Sequence, residues 1–423
     1  MLDIKQIRDD PEPIRAGLAR RNLAHVVDEL IAADATRREL TQEVEGLRAE
    51  QNRASKAIGR AQDDERQRLI DEVAQVSAKV KELEPRLAEA ERALDDLLAS
   101  TPNVPHPSSP DGFTDDDAVE VRRRGEPPTF DFEPRDHAEL GAALGILDTE
   151  RGARTSGSRF VYLLGDLVFV QLALMRNAID ILTERGFLPV IPPVLVREEA
   201  MFGSAFLPTD EVNIYRTDAD QLYLVGTSEV SLAALHMGEI LEEADLPLRY
   251  AGYSTCFRRE AGSYGKDLGG MFRLHQFDKV EMFSFATPDA SWDEHEFMVS
   301  VEEEILDTLE IPYRVVNVAA GDLGGAAAKK YDIEAWLPAQ GRYRELTSCS
   351  NYTDYGARRA QTRVRRAGGS VETLHTLNGT ATAMGRTMIA IMENHQQEDG
   401  SVVLPEHLWK YLPERARILQ RAA

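Results

Sequence analysis

The sequence predicts an α+β protein in which a long antiparallel pair of helices precedes a larger body of mixed helix and strand. Three observations predict it. Between about residue 30 and residue 100 there is no Trp, Tyr or Phe, and Ala, Leu, Glu and Arg dominate. Within that stretch apolar residues recur at heptad spacing. Beyond it, a proline-rich segment gives way to strand-like and helix-like runs interleaved to the C-terminus.

The first seam runs Leu40, Val44, Leu47, Gln51, Ala54 and Ile58, in steps of four and three residues with one polar member. The second is cleaner: Leu69, Val73, Val76, Val80, Leu83, Leu87, Ala90, Leu94 and Leu97 keep the alternation over four heptads. Two such seams bury each other. The short polar stretch from Gly59 to Glu65 favours a fold-back into an antiparallel hairpin over a single rod. At 1.5 Å per residue, the run from Leu69 to Leu97 projects about 43 Å. Pro85 lies inside it and is expected to kink it, because the ring removes a backbone hydrogen bond. Around the turn stand Arg48, Arg53, Lys56, Arg60, Arg66 and Arg68 against four acidic residues, which suits either a solvated coiled-coil face or a grip on a polyanion.

Pro102, Pro105, Pro107 and Pro110 mark the linker. They divide the chain into an arm domain, 1–105, and a body, 106–423. In the body, a helix is expected from Gly165 to Arg185, ending at Gly186. The following run, Phe187 to Val196, carries Pro189, Pro192 and Pro193, which confines it to a sheet edge or an interface.

Composition narrows the function. The 423 residues are 43% hydrophobic and 29% charged, ordinary values for a folded protein, and they supply two to three domains' worth of chain. The 49 basic against 72 acidic residues leave a net charge of −23, which argues against nucleic-acid binding through bulk charge. No apolar run reaches the roughly 20 residues of a membrane helix, and the N-terminus lacks the apolar core of a secretory signal. A cytoplasmic location without membrane contact is expected. Cys256 and Cys349 are too few for a disulfide framework or a structural zinc site. There is no GxGxxG or GxxxxGK[ST] loop, so any nucleotide is held by another device.

Four runs carry candidate chemistry. The first is Cys256-Phe257-Arg258-Arg259-Glu260, then a glycine-rich stretch, then Arg273-Leu274-His275-Gln276-Phe277-Asp278-Lys279-Val280-Glu281, read as strand, loop, strand. A guanidinium binds phosphate bidentately, an aromatic stacks on a base, and a carboxylate holds an amine. By itself the Arg-Arg-Glu triplet equally describes a surface ion-pair cluster. The second run, His375 to Thr380 leading into Gly385-Arg386-Thr387, places one arginine near the start of an apolar helix. There Arg386 requires a carboxylate or a phosphate, since a buried charge without a partner is costly. Third, Glu345-Leu346-Thr347-Ser348 offers the oxygen ligands Mg²⁺ takes beside phosphates. Fourth, Gly226-Thr227-Ser228-Glu229 opens a helix, where an ordinary N-cap with an acidic first turn is the simpler account.

Together these residues resemble a known family. The proline-bearing run at 186–196, FRRE with HQF, and the GRT helix look like motifs 1, 2 and 3 of class II aminoacyl-tRNA synthetases. TSE at 227–229, FRREAGSYG from 257, RLHQFDKVE from 273, ELTSCSN from 345 and HTLNGT from 375, behind a two-helix arm, resemble the bacterial-type seryl-tRNA synthetases along almost the whole chain.

The resemblance implies a class II antiparallel sheet of six or seven strands flanked by helices, a homodimer built partly on motif 1, and bent ATP with Mg²⁺. It implies that Arg258 holds the α-phosphate and that Arg259 and Arg273 lie near the nucleotide. Glu260 would take the adenine amino group, and Phe277 the adenine face beside Leu274. Arg386 would cover the other adenine face and the γ-phosphate. Glu345 and Ser348 would hold metal and phosphate oxygens, flanking Leu346 and Thr347. Thr227, Ser228, Glu229, Glu281, Asn378 and Thr380 would form a pocket for L-serine. The expected reaction is adenylation of serine, then transfer to tRNA(Ser) and also tRNA(Sec), with the six basic residues of the arm contacting tRNA. Two other readings use the same residues: a ligase that charges a carrier protein, against which the complete arm argues, and an inactive coiled-coil adaptor, which has no need of charges at 258, 260, 281, 345 and 386.

Overall fold

The computed structural model describes residues 1–261 and 270–421. Two compact units emerge, Leu2–Pro102 and Asn103–Ala423, with Met1 grouped with the second.

In the first unit, α1 (Val26–Ile58) and α2 (Asp63–Ser100) pack against each other. Their seams behave as heptads require: Leu40, Val44 and Leu83 form a buried cluster joined by Leu47, Leu87 and Ala90. Two cross-helix ion pairs flank it, Arg48–Glu84 at 2.8 Å and Lys79–Glu43 at 3.5 Å. Helix α2 continues across Pro85, whose ring lies on the exposed side. At 38 residues it is about 57 Å long. Arg48, Arg53, Lys56, Arg60, Arg66 and Arg68 are all exposed.

The second unit is organised by eight strands and four helices that matter here. In chain order these are β1 (Val119–Arg124), α3 (Asp166–Glu184), β2 (Leu188–Val190), α4 (Glu229–Ala233), β3 (Leu248–Phe257), β4 (Gln276–Ala286), α5 (Ser291–Thr308), β5 (Tyr313–Asn317), β6 (Lys329–Leu337), β7 (Arg342–Asn351), β8 (His375–Ala383) and α6 (Met384–Asn394). The strands form one sheet in the order β1-β5-β6-β7-β8-β4-β3-β2. Among the described residues the sheet therefore has eight strands, where the family resemblance implies six or seven. Every pair is antiparallel except the last, β2 with β3. Strand β2 ends the sheet, where the missing N–H of Pro189 breaks no ladder.

Strand alternation gives the sheet two faces. On one face Val280 and Met282 of β4 join Leu174 and Leu182 of α3, Val299 of α5 and Ile389 of α6 in the main core. On the other, Phe277, Lys279 and Glu281 of β4 turn toward a cavity, and farther along the strand Phe283 and Phe285 are covered by Leu232 and Ala233 of α4. Glycine at 379 lets β8 pack closely on α5: a Cβ there would lie 2.7 Å from the Glu302 Oε1, so a larger residue requires that side chain to move. Among the described residues no helix is long and apolar enough to cross a membrane.

Candidate active site

Two bulges decide which side chains meet in the cavity. On β7, Thr347 pairs with Ile333 while Glu345 pairs with Glu334, so Leu346 is an extra residue without a partner. A bulge resets the alternation, and residues three apart come to share a face. Glu345 and Ser348 both line the cavity for that reason. On β8, Thr382 and Thr380 pair with Val280 and Glu281, leaving Ala381 as the extra residue, and Asn378, Thr380 and Ala383 all line the cavity.

The cavity holds about 400 Å³ and draws on residues from Phe206 to Arg386. Arg258 and Arg386, 128 positions apart in sequence, both reach it. Arg258 lies just past the end of β3 rather than on the strand, fixed by its N–H to the His275 carbonyl at 3.0 Å. Its Nε donates to the Gly226 carbonyl at 3.1 Å, and its guanidinium lies over Phe277, 5.3 Å from the ring centre. Glu260 has φ of +51°, a left-handed conformation that costs a non-glycine residue free energy and recurs at functional sites. Its carboxylate takes a 3.1 Å ion pair from Arg273. Arg386, the third residue of α6, donates to the Glu345 carbonyl at 3.0 Å and lies 3.4 Å from the Glu345 carboxylate. Its guanidinium also stands over Phe272, 4.9 Å from the ring centre.

Electrostatics separate the two ends of the cavity. At the Arg386 end, burial works to raise the pKa of Glu345, but Arg386, Lys330 and Arg258 together bring it below the usual carboxylate range. That carboxylate stays ionised. With the Ser348 hydroxyl it makes a donor set that fits Mg²⁺, an ion held by one or two carboxylates together with substrate phosphates. Among the described residues no group of three or more His, Cys, Asp or Glu forms a self-sufficient metal cage.

The other end is lined by hydroxyls and carboxylates. Glu229 accepts from the Asn378 amide at 3.2 Å and from the Tyr352 phenol. Glu281 carries a 2.5 Å ion pair with Lys279 and accepts from Thr380 Oγ1 at 3.3 Å. Burial, and then the neighbouring Glu281, push Glu229 up to about 8, so near neutral pH it holds its proton until a cation arrives. Thr227 Oγ1 accepts the Glu229 N–H at 3.2 Å, while Ser228, at the N-cap of this short helix, makes no side-chain cap bond.

Of the residues assigned to the nucleotide and serine sites from sequence, all line this cavity except Ser228 and Arg259. Ser228 is fully buried, with its hydroxyl turned to the Gly252 carbonyl at 3.1 Å. Arg259 is exposed, and its N–H is tied to the Asn213 carbonyl at 2.9 Å. Gly262 and Gly265 of the FRREAGSYG run lie outside the described residues. Sequence reading missed Phe272, Lys279, Lys330 and Tyr352 as cavity residues. Lys279 stands two before Glu281, and β alternation places it on the same face. The other three carry no comparable local signal.

Comparison with known proteins agrees with this geometry. Residues 1–105 match the model of the seryl-tRNA synthetase N-terminal domain, and residues 212–395 match that of the class II tRNA synthetase core domain (G, H, P, S and T). Serine–tRNA ligases from Rubrobacter xylanophilus and Acidothermus cellulolyticus are 48% and 50% identical to the chain, each alignment covering 97% of it and 98% of the relative. The crystal structure of seryl-tRNA synthetase from Pyrococcus horikoshii complexed with ATP matches over 100% of both chains, at 41% identity and a TM-score of 0.93. That of the Naegleria fowleri cytoplasmic enzyme in complex with AMP matches over 97% of both, at 36% and 0.86. Full-length similarity at this level, on a chain whose fold carries both domains in order, leaves one assignment: the chain belongs to the seryl-tRNA synthetase family, with a class II synthetase core.

Proposed function

We propose that this protein is a serine–tRNA ligase that activates L-serine with ATP and transfers the seryl group to tRNA(Ser) and tRNA(Sec). The observation that carries the reading is the convergence of Arg258 and Arg386 on one cavity whose far end is a small pocket of hydroxyls and carboxylates. A serine carboxylate oxygen attacks the α-phosphorus. The bond to the bridging oxygen breaks, and its electron pair leaves with pyrophosphate. The terminal ribose hydroxyl of tRNA then attacks the seryl carbonyl, and AMP leaves. Little of this needs covalent participation by the protein, so positioning and charge stabilisation supply the rate.

Each side chain then has a task. Arg258 holds the α-phosphate and Arg386 the γ-phosphate. Phe277 faces the adenine, and Glu260 reads its amino group. Glu345 and Ser348 would hold Mg²⁺, which supplies neutralisation of phosphate charge. Thr227, Glu229, Glu281, Asn378 and Thr380 take the serine. A pocket that hydrogen-bonds the substrate hydroxyl rejects alanine strongly, because alanine leaves its buried groups unpaired. Threonine is refused by size. The test is ATP–pyrophosphate exchange: serine should stimulate it and alanine and threonine far less, whereas equal stimulation by all three contradicts the pocket.

Glu229 makes a second test. A serine ammonium beside this carboxylate favours its charged form, so binding at pH 7 should release up to one proton. Calorimetry in buffers of differing ionisation enthalpy should show it, and Glu229→Gln should abolish it. A heat of binding independent of buffer contradicts the assignment.

We also propose a homodimer through α3 and the β2 edge. Val168 and Leu172 stand four apart on one stripe of α3, and with Leu188 they are exposed; Ile191, just past β2, is 84% exposed. Exposed apolar residues of this size on a helix and at a sheet edge favour association.

A further inference from the structure

Among the described residues, five cations line the cavity: Arg258, Arg273, Lys279, Lys330 and Arg386. Three of them face carboxylates that line it too, Arg273 with Glu260 at 3.1 Å, Lys279 with Glu281 at 2.5 Å and Arg386 with Glu345 at 3.4 Å. Arg258 is assigned to the α-phosphate. Lys330 is different, because its salt bridge runs 3.1 Å to Asp332, which is not part of the lining. The register of β6 explains its placement. Lys330 lies opposite Ser350 and Asp332 opposite Ser348, so alternation points Lys330 to the same side as the two cavity serines. Lys329, one residue earlier, takes the opposite side, where its ammonium meets the Tyr331 hydroxyl at 2.7 Å and the Glu296 carboxylate at 3.7 Å. Burial alone would lower the pKa of Lys330, but Asp332 and Glu345 raise it past the ordinary lysine value, so it is charged at every working pH.

We propose that Lys330 is a third phosphate-binding cation, which grips the pyrophosphate end of the triphosphate and stabilises the leaving group. This rests on the ligase reading above. As the bond between the α-phosphorus and the bridging oxygen breaks, the electron pair stays on that oxygen and the departing pyrophosphate gains negative charge. An ammonium on a rigid central strand, reached through a short exchange from Asp332 to phosphate, meets that charge without reorganising the site. A charge-assisted hydrogen bond of this kind corresponds to a loss of about 10- to 100-fold when it is removed.

The experiment measures serine-dependent ATP–pyrophosphate exchange by Lys330→Met, Lys330→Arg and Lys329→Met beside the wild type, with pyrophosphate binding read directly by calorimetry. The proposal expects Lys330→Met to lose about 10- to 100-fold in kcat/KM for pyrophosphate and to weaken its binding in proportion, while KM for serine is unchanged. Lys330→Arg, which keeps a charge, should recover most of the loss. Lys329→Met, which removes a buried lysine from the same strand, controls for disturbance of the sheet and should leave KM for pyrophosphate alone. If the wild type exchanges and Lys330→Met matches it for pyrophosphate, Lys330 is only a counter-ion of Asp332 and Glu345, and the proposal is overturned while the ligase reading stands. Equal losses in Lys330→Met and Lys329→Met overturn it as well. If the wild type shows no serine-dependent exchange, the ligase reading fails first and the role of Lys330 with it.

Discussion

Arg258→Ala is expected to lose about 10² to 10³-fold or more of the serine-dependent exchange rate, the scale on which removal of one preorganised donor acts. Three features of its surroundings make the loss hard to repair. The Gly226 carbonyl and the ring of Phe277 fix the guanidinium, so nothing else is preorganised at that point. The adjacent Arg259 is exposed and turned off the cavity, so it has no route to the same phosphate. Arg386 lies beside Glu345 and is assigned to the γ-phosphate, so it does not replace Arg258 at the α-phosphate. Lysine at 258 keeps the charge but loses the bidentate fork, so Arg258→Lys should fall between wild type and alanine. Arg259→Ala should stay near wild type. Exchange by Arg258→Ala at near wild-type speed would remove this residue from the chemistry.

The second large effect separates the two chemical steps. Replacing residues 40–95 by a short linker should leave adenylate formation intact and abolish tRNA charging. Among the described residues, those that line the cavity all lie from Phe206 to Arg386, and the core that supports it is formed within the Asn103–Ala423 unit. The removed segment carries the exposed Arg48, Arg53, Lys56, Arg60, Arg66 and Arg68, cations suited to phosphate contacts on an otherwise acidic chain. Exchange and aminoacylation are measured on the same preparation, so an unfolded product would be seen as loss of both. Undiminished charging would take the arm out of tRNA recognition.

How much of this was legible in the sequence depended on the range of each signal. The heptads at Leu40–Ile58 and Leu69–Leu97 were, because a seam repeats locally and each repeat reinforces the last. The edge position of Pro189 followed from a missing donor, a property of one residue. The wall residues Phe277 and Glu281 were legible by type, an aromatic that can stack on a base and a carboxylate that can hold an amine, in one strand-like run. What escaped was set by pairing between strands. The pairing of Glu345 with Ser348 came from the family resemblance, but the extra residues Leu346 and Ala381, which turn Glu345 with Ser348 and Ala383 with Thr380 to the cavity, look like any others in their runs. Lys330 becomes a cavity residue only once β6 is registered against Ser350, and Tyr352, just past the end of β7, only once its phenol reaches Glu229 on α4. Ser228 failed for a related reason: its neighbours on both sides line the pocket, but the short helix turns its hydroxyl to Gly252. The sheet's eighth strand rests on a parallel pairing of three residues, Leu188–Val190, too short to announce its direction.

A crystal structure with ATP and serinamide, which lacks the attacking carboxylate, tests the central claim most directly. The account predicts one bent triphosphate with Arg258 and Arg386 both within hydrogen-bonding distance, and the serinamide hydroxyl in the pocket of Glu281 and Thr380. A nucleotide bound elsewhere, or touched by only one of the two arginines, would contradict it.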